Sequence, residues 1–188
     1  MPASKSPPEL KHLDHILVTP QAIKRRIARL ADQLNKDYAQ KDMMVVAIVN
    51  GALIFAADLL RQLRSPLRLD CLRASSYHDG TKAVGEPRIV DQMKLDVRGQ
   101  HVLLVDDILD TGKTLAAVAG LITSKGAASV RTCVLLDKKA RRAVPFEADY
   151  VGFEIPDEFV VGYGLDFNER YRNLPSIGVL KPKYYATK

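Results

Sequence analysis

The stretch Val102-Leu103-Leu104-Val105-Asp106-Asp107-Ile108-Leu109-Asp110-Thr111-Gly112-Lys113-Thr114-Leu115 decides how the rest of the chain is read. Residues 102–105 are a compact apolar run of the length of a strand buried on both faces. Asp106 and Asp107 follow at its carboxyl end. A third acid, Asp110, and the small polar turn Thr111-Gly112-Lys113-Thr114 come next, and residues 115–122 read as a helix packed on that strand. In open α/β sheets, ligands bind in the crevice outside the carboxyl ends of the strands.

The chemistry divides into two halves. Residues 111–114 present backbone N–H groups and two hydroxyls at a helix N-terminus, where the dipole favours an anion such as phosphate. Asp106 and Asp107 repel phosphate. They suit ribose hydroxyls, which donate to carboxylates, or a hard cation such as Mg²⁺ that bridges to phosphate oxygens. Together the halves specify a phosphorylated sugar with free hydroxyls. Gly112-Lys113-Thr114 imitates the end of a Walker A loop, but that motif requires glycine where Asp107 stands. An Asx turn capping a helix accounts for one aspartate. It leaves unexplained three acids beside an apolar strand, each costly in desolvation or repulsion.

On these residues the segment resembles the phosphoribosyl pyrophosphate signature of the type I phosphoribosyltransferases: apolar strand, acidic pair, Asp-Thr-Gly, then Lys/Thr. The resemblance implies a sugar-phosphate donor and leaves the acceptor open. It also implies an α/β fold with a mostly parallel central sheet flanked by helices and a small accessory hood lobe.

Composition sets the frame. At 188 residues, 47% hydrophobic and 27% charged, the chain is long enough for one substantial core, and it reads as a single domain. Residues 1–15 are expected to be a loose tail without the apolar core of a signal peptide, and residues 145–188 are expected to form the hood with the N-terminal segment. No stretch approaches a membrane span, so a cytoplasmic protein is expected. Cys71 and Cys133 both fall in strands expected to be buried, without metal-ligand spacing, and read as reduced core residues. The formal net charge of +6 is spread along the chain. Its largest cluster, Lys24, Arg25, Arg26 and Arg29, reads as a solvated helix face and does not point to nucleic acid.

In chain order, Thr19-Pro20 marks a helix start, and Ile23, Ile27, Leu30 and Leu34 recur at helical spacing over residues 20–40. Residues 43–49 read as a buried strand ending in Asn50-Gly51, which fits either an anion-binding turn or a plain β–α connector. A helix over 52–63 and a strand over 67–77 follow. Residues 78–87 are polar and glycine-punctuated, as expected of a lid loop. Strands are expected over 88–93, 129–136, 149–155, 159–163 and 177–180. Alternation of strand and helix through the middle argues a mostly parallel, doubly covered sheet.

Residues 151–166, with Arg170-Tyr171-Arg172-Asn173-Leu174-Pro175, Ser75-Ser76-Tyr77 and residues 135–138, resemble the bacterial branch of the hypoxanthine phosphoribosyltransferases. The resemblance runs from Val45 to Leu180. It implies that Asp106 and Asp107 hold the ribose hydroxyls, directly or through Mg²⁺, and that Asp166 is a ligand of a second metal. It implies that Asp110 meets purine N7 as general base or acid, and that Thr111, Gly112, Lys113 and Thr114 hold the 5′-phosphate. Lys138 would donate to the purine 6-oxo group, Phe159 would stack on the ring, Val160 would offer a backbone contact, and Arg172 would meet pyrophosphate. Asn50 and Gly51 match the first pyrophosphate loop, and Ser76 and Tyr77 the lid.

Physical chemistry agrees with these assignments. A lysine ammonium pairs with an oxo group and disfavours an amino-bearing edge. Read from spacing alone, Phe159 is equally an ordinary core residue and Lys138 one more solvated lysine. Many relatives carry lysine where this chain has Asn50, which leaves that turn a backbone role rather than a charge-neutralising one.

The expected partners are therefore a 6-oxopurine and phosphoribosyl pyrophosphate, in a homodimer or homotetramer, without nucleic acid or membrane. Two alternatives compete with a hypoxanthine(-guanine) enzyme. One is a nucleic-acid-binding regulator on the same fold, which the absence of an appended helix-turn-helix pattern disfavours. The other is a sister enzyme preferring xanthine or guanine.

Overall fold

The structure is a computed structural model that describes residues 8–75, 78–79, 82–83, 88–89 and 93–186. Its central sheet is built from β2 (Met43–Val49), β3 (Leu67–Ser75), β6 (Arg88–Ile89), β7 (His101–Leu109), β8 (Ser129–Asp137) and β9 (Tyr150–Glu154), in the order β6-β3-β2-β7-β8-β9. The five strands from β3 to β9 are parallel, and β6 is an antiparallel edge. Two short strands, β4 (His78–Asp79) and β5 (Lys82–Ala83), form a separate hairpin.

Both faces of this sheet are covered, which is why its strands read as continuous apolar runs. Val45, Ala47, Leu103 and Val105 point toward α1 (Pro20–Asp37) and α2 (Leu53–Leu60), joining Ile27, Leu30, Leu34 and Phe55 in one core. Met44, Val46, Val102 and Leu104 point the other way, toward Leu115, Val118 and Ile122 of α3 (Lys113–Ser124).

The chain reverses its direction of travel across the sheet between β2 and β7. From β2 it crosses through α2 to β3 on one side; from β7 it crosses through α3 to β8 on the other. This is the switch point at which doubly wound sheets open a crevice. The Asn50-Gly51 turn lies at the end of β2 and the acidic pair near the end of β7, so both open onto it.

Several boundaries differ from expectation for local reasons. β7 does not stop at Val105. Its pairing with β8 continues through Asp106 to Leu109, so the acidic pair belongs to the strand itself. α3 begins at Lys113, so Lys113 and Thr114 are its first turn rather than loop. α1 ends at Asp37 instead of residue 40, where the Tyr38 N–H turns back to the Leu34 and Lys36 carbonyls and the Tyr38 ring is buried. α2 ends at Leu60 because Gln62 and Leu63 take i−3 carbonyls in a tighter turn.

Part of the segment expected to be a loose tail is structured. Pro8–His12 form a 3₁₀ turn, and β1 (Leu13–Val18) pairs antiparallel with β11 (Ile177–Leu180), which also pairs with β10 (Val160–Val161). This second sheet has its own small core of Leu13, Val161, Tyr171, Leu174 and Leu180. Cys133 is buried as expected, but Cys71 of β3 is exposed. Arg26 is not solvated as its cluster suggested. Its guanidinium donates to the Gly152 carbonyl at 2.6 Å and to that of Val151, tying α1 to β9.

The Thr19 Oγ1 accepts from the Ala22 N–H at 3.3 Å, with Pro20 in the first turn. Thr19→Ala should therefore cost about 1 kcal/mol in chemical denaturation, and Thr19→Ser should recover most of it.

Candidate active site

The switch-point crevice is a cleft of about 650 Å³ between the carboxyl ends of β2 and β7 and the second sheet. The β2 turn supplies its first wall. The Val49–Asn50 peptide bond is cis, and the Ala52 N–H returns to the Ile48 carbonyl at 3.2 Å. Gly51 has no freedom to carry a side chain: a Cβ there would lie 2.0 Å from Asp107 Oδ2. The close approach that admits only glycine therefore locks the turn against the acidic pair.

Asp106 is only 7% exposed, and its Oδ1 accepts from the Asp107 N–H at 3.0 Å. Burial raises its carboxyl well above the ordinary carboxylate range, and the neighbouring Asp107 charge raises it further. Burial also raises Asp107, while the Arg172 guanidinium pulls it back down. Two buried, mutually repelling oxygen donors suit hydroxyl hydrogens or a hard dication, which satisfies carboxylates by charge rather than geometry.

Asp166, expected at a second metal, stands apart from the Asp106–Asp107 pair. Among the described residues no group of three or more His, Cys, Asp or Glu is placed to hold an ion. Asp166 Oδ1 is instead paired with Arg172 Nη2 at 2.8 Å, and its Oδ2 accepts from the Glu169 N–H at 3.0 Å. The donor set that fits Mg²⁺ is Asp106 and Asp107, in keeping with an ion that takes one or two carboxylates and fills its remaining positions with water and phosphate.

Past β7 the chain turns through Asp110, Thr111 and Gly112, whose φ of 82° is left-handed, and enters α3. Asp110, Thr111, Gly112 and Thr114 face the cleft, whereas the Lys113 side chain does not line it. Asp110 Oδ1 is shielded from solvent and accepts no hydrogen bond from the described residues, with Arg141 Nε 3.5 Å away. Asp110 thus lines the cleft wall with this oxygen beside the Arg141 guanidinium.

The opposite side gathers a different chemistry. Lys138 is 4% exposed, so it is no solvated lysine. Its ammonium donates to the Glu158 carbonyl at 2.9 Å and lies 3.8 Å from Asp157. Burial draws its pKa below the usual lysine range. The Phe159 ring stacks on Tyr185 at 4.6 Å and meets Phe167 edge-on at 5.6 Å. Val160 closes this side from β10. Arg172 is held by the Gly164 carbonyl at 2.7 Å and Glu169 Oε2 at 2.9 Å.

One cleft therefore unites Asn50, Gly51, Asp106, Asp107, Asp110, Thr111, Gly112, Thr114, Lys138, Phe159, Val160, Asp166 and Arg172, and leaves Lys113 outside. Ser76 and Tyr77 lie outside the described residues. Sequence reasoning did not single out Arg141, a basic residue of the run 138–142 that faces Asp110, nor Tyr185. Only the basic run carried a signal that could have found the first.

The phosphoribosyl transferase domain model matches residues 15–168. The chain is 45% identical over 171 residues to the hypoxanthine-guanine phosphoribosyltransferase of Streptococcus pneumoniae, covering 91% of this chain and 95% of that one. It is 43% identical over 174 residues to the bifunctional protein TilS/HprT of Listeria innocua, covering 93% of this chain but spanning only 27% of that relative's length. The crystal structure of a hypoxanthine phosphoribosyltransferase from Staphylococcus aureus superposes with a TM-score of 0.90 at 42% identity, covering 95% of this chain and 97% of that one.

Because Asp106 is raised in the folded state, the native protein binds more protons than the unfolded chain above about pH 4. The ligand-free protein thus loses stability as pH rises from there toward the raised value. Asp106→Asn should flatten this dependence and raise the melting temperature at pH 7 by a few degrees, where ~1 kcal/mol corresponds to roughly 2–4 °C for a chain of this size. Gly51→Ala should do the reverse, lowering the melting temperature by driving a methyl into the Asp107 carboxylate.

Proposed function

The chain belongs to the hypoxanthine-guanine phosphoribosyltransferases of the phosphoribosyl transferase family, and from that membership we propose that it salvages purines by transferring the 5-phosphoribosyl group of 5-phospho-α-D-ribose 1-diphosphate to hypoxanthine and guanine. A purine nitrogen attacks C1′ of the donor as the C1′–O bond to pyrophosphate breaks, giving the mononucleotide with inverted configuration. The observation that carries this reading is the two-sided cleft. Buried carboxylates and a helix N-terminus suited to a sugar phosphate face a buried lysine and an aromatic platform suited to an oxopurine.

The transition state concentrates positive charge on the ribosyl ring, so charge placement does most of the work. Asp106 and Asp107 take the ribose hydroxyls. The N–H groups at the start of α3 take the 5′-phosphate. Lys138 donates to the purine 6-oxo group, Phe159 stacks on the ring, and backbone at Val160 borders its far edge. Asp110, at the cleft wall, receives the purine proton. Arg172 offers its charge to the departing pyrophosphate.

Mg²⁺ held by Asp106 and Asp107 would supply charge neutralisation to the pyrophosphate and template the donor. Among the described residues no helix is long and apolar enough to cross a membrane. We place the protein in the cytoplasm as a homodimer or homotetramer, acting as one catalytic unit with the β1-β11-β10 sheet as its hood.

Asp110→Asn should cut turnover roughly 10²–10⁴-fold while the far-ultraviolet circular dichroism is unchanged; near-normal turnover removes its proton-transfer role. Competition kinetics with hypoxanthine, guanine and xanthine should favour the first two, and a preference for xanthine would support the sister-enzyme reading. A nucleic-acid titration should give no steeply salt-dependent binding.

A further inference from the structure

The turn that faces the sugar phosphate is held from behind by a segment with no part in the chemistry proposed above. Three consecutive carbonyls of that turn are occupied on one side. The Leu109 carbonyl accepts from the Lys138 N–H at 2.9 Å and from Arg142 Nη1 at 3.2 Å. The Asp110 carbonyl accepts from the same Arg142 nitrogen, and the Thr111 carbonyl accepts from the Ala143 N–H at 2.9 Å. In a trans peptide the carbonyl of one residue and the N–H of the next point in opposite directions. Fixing these three carbonyls toward residues 138–143 thus directs the N–H groups of Asp110, Thr111 and Gly112 away from that segment, on the side where the turn lines the cleft.

Among the described residues, Arg142 is the only side chain that donates to these carbonyls. Its Nη2 is paired with Asp137, whose side chain is 1% exposed, and its stem lies under Gly112, where a Cβ would approach Arg142 Cδ to 3.1 Å. A planar fork is needed to reach two carbonyls and a carboxylate at once; a lysine ammonium can satisfy the carboxylate without spanning the rest.

We infer that Arg142 is a positioning residue for the phosphate-binding turn: pinned by Asp137, it holds the Leu109 and Asp110 carbonyls back so that the N–H groups beyond them meet the 5′-phosphate. The inference rests on the transfer reaction proposed above and adds the element that aims the turn. Arg142 itself does not line the cleft.

Calorimetric affinities for inosine 5′-monophosphate and for inosine separate the phosphate contribution from that of base and ribose. The wild-type protein should favour the nucleotide. Arg142→Ala and Arg142→Lys should shrink that preference at least about tenfold, leave the affinity for inosine unchanged, and raise KM for phosphoribosyl pyrophosphate more than KM for the purine. Arg142→Lys should regain much of the melting temperature lost in Arg142→Ala without regaining the preference. An unchanged nucleotide-to-nucleoside ratio in folded Arg142→Lys overturns the inference and leaves the reaction standing. Failure of both arginine variants to fold also overturns it, by making the role purely structural. A wild-type protein that binds nucleotide and nucleoside equally removes the proposed substrate, and Arg142's role with it.

Discussion

Two adjacent carboxylates are held by main-chain pairing at the buried carboxyl end of β7, and most of the surrounding structure answers to their presence. Each carries a desolvation cost, and their proximity adds repulsion. No described cation acts on Asp106, while Asp107 feels Arg172 from across the cleft. A flexible loop would swing such a pair into water. Here the strand register with β8 continues past both acids to Leu109, so neither can leave. The Gly51 backbone occupies the space beside Asp107 that any other residue would fill. The fold thus spends stability on a charge arrangement that only a bound partner relieves.

Charge is zoned around this pair. Cations gather on the far side, and each is restrained by acceptors: Lys138 by the Glu158 carbonyl and Asp157, Arg141 between Asp110 and Asp157, Arg172 between Asp166 and Glu169. The cleft therefore offers negative groups to hydroxyls and positive groups to oxyanions and an oxo group without either sign collapsing onto the other. A net charge of +6 spread over 188 residues gives no hint of this partition.

The second sheet closes the arrangement from elements far apart in sequence. β1, near the amino end of the described chain, pairs with β11 near its other end, and the Tyr171 hydroxyl lies 3.0 Å from His12 Nδ1. The segment after β10 meets the core where Gly164 presses on the Gly51 carbonyl, so close that a Cβ would lie 2.3 Å from it, and where Tyr163 donates to Asp58 of α2. Phe159 receives its backing from Tyr185, 26 positions later in a different turn. The purine side of the proposed site is a tertiary product throughout.

What was legible beforehand was what local pattern controls. Apolar runs at 43–49, 102–105 and 129–136 announced a buried parallel sheet; the Thr19-Pro20 cap and the 3.6-residue spacing after it announced α1; the acids and small polar turn after residue 105 announced a site for a phosphorylated sugar. What only the tertiary structure decided depends on contacts between distant residues. Asp106 and Asp107 read as following the strand because polarity ends an apolar run, yet pairing with β8 keeps them within it. Leu13–Val18 became a strand because β11 supplied a partner, Arg26 was drawn onto β9 by its carbonyls, and Lys138 was buried because the 156–158 turn met it. Spacing along a chain encodes periodicity and turn chemistry; it carries no record of which distant acceptor will compensate a buried charge, and that compensation determined where these cations could sit.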